Sequence, residues 1–147
     1  KTAGPIAAVF AVDPNPAISY VLVLFLLLFF WEIGGQNVPN DWIDLEEDVR
    51  FGARTIPIRF GLEQANVVIF GSIMLTLIFS GVLLILSPIS FGLPFIIAFA
   101  LVGLYFLLLP TMKLYRTDEN SHAMILFNRA SYYPLAMLVV VVVKLVF

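Results

Sequence analysis

The chain has 147 residues, 61% of them hydrophobic and 12% charged, with a mean hydropathy of +1.02. Soluble domains carry about 25% charged residues, and so short a chain cannot hide this much apolar surface in a core, which excludes an ordinary water-soluble fold and indicates a membrane protein. A net charge of −2 offers no basic surface for nucleic acid, the absence of cysteine excludes disulfides and thiolate metal sites, and the single histidine, His122, argues against zinc or haem.

In chain order, residues 4–12 form an apolar patch that ends at Asp13-Pro14-Asn15-Pro16. It is too short to cross a bilayer and reads as the tail of a helix begun upstream. No charge stands between Asp13 and Glu32, and residues 17–35 supply the roughly 20 residues that a crossing needs. A polar connector, 36–63, follows. The next uncharged run, Gln64 to Met112, is too long for one crossing. Ser87-Pro88 and Gly92-Leu93-Pro94 divide it into spans at about 65–86 and 93–112. The last span is expected over 122–147, with Arg129 near its entrance and Pro134 inside. Its valine tract, 139–143, is compatible with helix because hydrocarbon admits no unpaired backbone. The expected fold class is therefore all-α, a polytopic transmembrane helix bundle with about four spans in a single membrane domain, 1–147.

Arg50, Arg54 and Arg59 lie in the first connector, and Lys113, Arg116 and Arg129 flank the second. The positive-inside tendency places both on the cytoplasmic side. The turns at 13–16 and 87–92 carry neither Lys nor Arg and fall together on the opposite face. Tyr20, Tyr105, Tyr115, Tyr132 and Tyr133 read as interfacial anchors, Lys144 as a side chain snorkelling at the far face, and His122 as a polar residue at a helix entrance.

Half of the ten acids fall within residues 37–48. Asn37, Asp41, Asp44 and Asp48 are spaced by four, three and four, and on a helix they share an arc of roughly 60°. Like charges on adjacent turns repel and raise one another's pKa, so a cation is the natural partner, and hard divalent ions with oxygen ligands fit best. Glu46 and Glu47 point away on the helical wheel and read as solvated. Pro39 would more naturally begin a helix than lie within one, which sets Asn37 on a preceding turn. Trp31, Trp42 and Phe51 flank the acids. Two readings follow from the residues alone: a metal-binding face, or a solvated loop whose acids and arginines pair with each other.

The run from Asn40 to Gly61, NDWIDLEEDVRFGARTIPIRFG, resembles the second aspartate-rich motif of the UbiA superfamily of intramembrane prenyltransferases. That motif has the pattern N-D-x-x-D-x-x-x-D-x-x-x-G-x-x-T-x-P-x-x-x-G. Residues 123–135, AMILFNRASYYPL, are similar to the start of the family's last helix, a weaker cue. Residues 17–147 fit its final four helices in order. The resemblance implies a nine-helix bundle with a central cavity, capped on the cytoplasmic side by two aspartate-rich segments that hold Mg²⁺ against an isoprenyl diphosphate. It assigns Asp44 and Asp48 to the core metal pair, extends the face to Asp41 and Asn37, and places Arg50 and Arg54 where they can touch diphosphate.

The activity so implied is Mg²⁺-dependent transfer of a polyprenyl group from its diphosphate to an aromatic acceptor, in quinone, haem or lipid biosynthesis. The first aspartate-rich motif is not among these 147 residues. The chain is therefore expected to be a C-terminal portion that holds half a site, to need the N-terminal half of the same protein, and to be inactive alone. The alternative is a non-catalytic membrane protein such as a divalent-cation transporter using the same three aspartates, although a transporter would set its acids nearer mid-span.

Overall fold

The structure is a computed structural model that describes residues 3–146. Regular structure in these residues is helical throughout. Helix α1 (Ala3–Val12) turns into α2 (Ile18–Ile43), and two short helices, α3 (Leu45–Arg50) and α4 (Ile56–Phe60), build the connector. Three long helices follow: α5 (Leu62–Leu86), α6 (Leu93–Thr117) and α7 (Asn120–Val146). Helices α2, α5, α6 and α7 are each long and apolar enough to cross a membrane. Because they alternate in direction, the connector and the α6–α7 turn share one end of the bundle.

Each of the four helices runs further toward that end than hydropathy alone suggests. The 26 residues of α2 make a helix about 39 Å long, against about 30 Å of hydrocarbon. The excess lies past the apolar stretch, which ends at Trp31, so Asn40 and Asp41 stand beyond the membrane-spanning part. Glycine punctuates the connector: Gly52 (φ +67°) ends α3 and Gly61 (φ +86°) separates α4 from α5, both in the left-handed region that side chains disfavour.

Small residues set how closely the helices approach. A Cβ added to Gly34 would stand 2.7 Å from Ser72 Cβ on α5, and one added to Gly35 would stand 2.8 Å from Ala130 Cβ on α7. Consecutive glycines thus wedge α2 between two neighbours, the close-approach device that membrane helices use where lipid and core are equally apolar.

Prolines shape the same helices. Residues Ile33–Asn37 of α2 and Leu104–Leu108 of α6 form widened turns, closed by Val38 N–H to Ile33 O and by Leu109 N–H to Leu104 O. A proline, Pro39 or Pro110, stands two residues past each. Lacking an N–H, each proline leaves a carbonyl of the preceding turn without its helical donor. Side chains supply the substitutes. Gln36 Nε2 donates to Gly35 O at 2.9 Å and also reaches Ser131 Oγ at 3.2 Å. In α7, Pro134 cannot donate to Ala130 O, and Trp31 Nε1 donates there instead at 3.0 Å, across the α2–α7 interface.

The packed core, with Val38, Trp42, Ala65, Ile69, Ile73, Leu107, Leu114, Ala123, Leu126 and Ala130, lies toward the connector end. The four helices close on one another there. Toward the opposite end the packing loosens around a cavity of about 280 Å³ lined by Tyr20, Leu27, Trp31, Phe99, Tyr133 and Met137. Tyr133 is 3% exposed and shares a 2.9 Å hydrogen bond with Ser80. Its place in the core corrects the expectation that it is an interfacial anchor: the hydroxyl is satisfied within the bundle and does not reach for a headgroup.

Candidate metal and diphosphate site

Asp41 occupies the last turn of α2, Asp44 the junction between α2 and α3 (φ −91°, ψ 12°), and Asp48 the body of α3. The bonds Asp44 N–H to Asn40 O (3.0 Å) and Asp48 N–H to Asp44 O (2.9 Å) carry helical spacing across the junction. All three side chains are partly buried. Burial pushes the Asp41 carboxyl above its usual range, and the charges of Asp48 and then Asp44 push it the same way. The three acids therefore share one field. Asp48, seven residues on, reaches Asp41, as does Asp44, three residues on.

The remaining residues singled out in the sequence fall around this rim. Asn37 is exposed and ends the widened turn, where a step of 100° per residue no longer holds, so the helical-wheel argument does not carry over to it. Arg50 ends α3, Arg54 lies between α3 and α4, and both are exposed. Among the described residues no connector arginine forms an ion pair with Asp41, Asp44 or Asp48. The solvated-loop reading, in which acids and arginines neutralise each other, has no support in this geometry.

Sequence reasoning passed over two contributors. Asn40 Nδ2 donates to Asp44 Oδ2 at 3.0 Å and orients that carboxylate; its signal is an asparagine one turn before an aspartate. The α6–α7 turn is the other. Asn120 Nδ2 donates to Ile43 O at 3.4 Å, and Asp118, left-handed at φ 52°, accepts from the buried Asn66 at the start of α5. Only the three-dimensional fold brings this turn to the motif. Between them lies a hollow of about 480 Å³ that Asp44, Glu46, Glu47, Asp118 and Asn120 help to line. Glu46 and Glu47 are exposed, yet they border the same hollow as Asp44 and are not turned wholly away from it.

Among the described residues no three acidic or histidine side chains converge closely enough to enclose an ion. The acids form an open rim of hard oxygen donors under mutual repulsion. That donor set suits a Mg²⁺ ion, which takes one or two protein carboxylates and completes its shell with water and phosphate oxygens.

Residues 2–140 match the model of the UbiA prenyltransferase family. The chain belongs to the UbiA prenyltransferase family. Neither the comparison with curated proteins nor that with solved structures returned a match. The match covers α2, α5 and α6, most of α7, and the connector, so the rim of aspartates and the bundle beneath it fall within one family unit. UbiA membership implies prenyl transfer within a membrane, and the four apolar helices make the chain an integral membrane protein.

Proposed function

We propose that Asp41, Asp44 and Asp48 form part of the donor-binding end of a Mg²⁺-dependent UbiA prenyltransferase, which moves a polyprenyl group from its diphosphate to an aromatic acceptor. The observation that carries the reading is the rim itself: three partly buried carboxylates, with burial and the charges of Asp48 and Asp44 raising the proton affinity of Asp41, and with no arginine paired to them among the described residues. When bound, Mg²⁺ would supply positive charge to the leaving diphosphate as the allylic C–O bond breaks.

The chain's own residues do the rest. Asp44 and Asp48 present oxygens to the metal, and Asn40 fixes the orientation of Asp44. Asp41 adds a third charge to the face and gives up its proton more readily once a cation is near. Exposed Arg50 and Arg54 stand close enough in the chain to meet phosphate oxygens that the metal leaves uncovered. The apolar helices exclude water, so that the activated allylic carbon meets its acceptor before hydrolysis. The connector and its acids are assigned to the cytoplasmic side from the arginines they carry.

The test is made in the full-length protein. Asp44→Asn and Asp48→Asn are expected to lower kcat by about a hundredfold or more while helical content is unchanged. Activity close to that of the unmodified enzyme would remove these residues from the mechanism. A cation carrier using the same acids is less well supported, because they stand at the end of α2 and in α3, past the apolar stretch, and not at mid-span.

A further inference from the structure

Arg129 is a charge within the long apolar helix α7, and among the described residues it has no countercharge. It lies nine residues into α7, a helix of 27 residues, which places its Cα about 14 Å from the helix start and, with the excess length of the helix at the connector end, close to the hydrocarbon boundary. Its guanidinium stands 4.6 Å from the centroid of the Tyr105 ring, and Nη1 donates to Tyr105 O at 3.3 Å. Tyr105 is 12 residues before the end of α6 at Thr117, about 18 Å along the helix. The side chain therefore runs away from the connector end, toward Tyr105.

The reason it can do so is local. Tyr105 lies in the widened turn that closes Leu109 N–H onto Leu104 O; continuing that register one residue would pair Tyr105 O with Pro110, which has no N–H. The α6 backbone thus offers an open acceptor, and Arg129 fills it. One carbonyl and one ring face engage only part of a fork of five donors. Among the described residues no carboxylate pairs with Arg129. At the membrane boundary a planar fork with donors to spare, backed by an aromatic ring, suits an oxyanion.

We propose that Arg129, held by Tyr105, is a binding site for a phosphate group, separate from the aspartate rim. A phosphate is the anion that a bilayer surface or a prenyl donor brings to the membrane boundary, so its source is either a phospholipid headgroup or an isoprenyl diphosphate. Tyr105 and Tyr132, both exposed on this flank of α6 and α7, leave the approach open.

The experiment uses the full-length protein in nanodiscs, unmodified and as Arg129→Gln and Arg129→Lys, with a chelator present so that the aspartate rim takes no part. In one arm the discs contain phosphatidate in phosphatidylcholine, and phosphatidate retained by the released protein is counted by native mass spectrometry. In the other, a non-reactive isoprenyl thiodiphosphate is titrated into phosphatidylcholine discs. Arg129→Gln is expected to lower retention or affinity at least about tenfold in one arm, which identifies the source, with Arg129→Lys intermediate because a point charge replaces the fork. Unchanged values in both arms overturn the proposal. Should Arg129→Gln not fold, Arg129→Lys decides: a severalfold loss supports the site and no change overturns it. Because metal is absent, either result is independent of whether Asp44 and Asp48 serve catalysis.

Discussion

Asp41 shows how one residue reports on a site. Its folded-state pKa lies above the ordinary carboxylate value, owing first to burial and then to Asp48 and Asp44. The stability linked to its proton is therefore fully present below the unfolded-state pKa and is lost as pH rises through the folded-state one. A cation on the rim reverses the sense, because it favours the ionised form. Added Mg²⁺ should then raise the melting temperature more at pH 7.5 than at pH 4.5 and should release protons on binding; equal effects at both pH values would separate the metal from Asp41. Asp41→Asn is expected to raise the melting temperature at neutral pH without divalent cation, and to shrink the increment that Mg²⁺ provides. The acids were legible in the sequence because helical spacing is a local property. The orientation of Asp44 by Asn40 was half legible, one turn away in sequence, whereas the contacts of the α6–α7 turn, Asp118 with Asn66 and Asn120 with Ile43 O, depend on how separate helices dock.

At the scale of the helices, the four apolar stretches were readable from composition and length, but their ends were not, since helical hydrogen bonding continues past the apolar run into polar residues such as Asn40 and Asp41. Nor could hydropathy show that Gly34 and Gly35 face two different helices. A methyl group at Gly35 would press on Ala130 Cβ from 2.8 Å, so Gly35→Leu should force α2 from α7 and destabilise the fold by about 1–3 kcal/mol. Trp31→Phe retains the bulk but removes the donor that reaches Ala130 O, leaving a buried carbonyl unsatisfied at a cost of about 1–3 kcal/mol. Thermal unfolding in detergent, read by helical signal, measures both. If Pro134→Ala restored the stability lost in Trp31→Phe, the backbone N–H regained at residue 134 would be shown to take the place of the indole.

The whole molecule is organised about one end. The core, the rim of acids, the connector and the α6–α7 turn all gather there, while the opposite end is loosely packed around an apolar cavity. Single cysteines placed at Arg54 and Glu119 should label from the same side of a sealed vesicle, and one at Ser90 from the other; labelling of all three from one side would contradict the alternation of the four helices. The widened turns of α2 and α6 have a different implication for this architecture. Each holds one residue more than a plain α-turn, so each is a point at which the chain can shorten without rotating what lies beyond it. Excising one residue from 33–37 should let that turn relax to ordinary helix with the aspartates still on their azimuth, whereas the same excision at 24–28 should swing them by about 100°. Length variation among natural relatives is expected to collect at these two places, each marked by a proline just downstream.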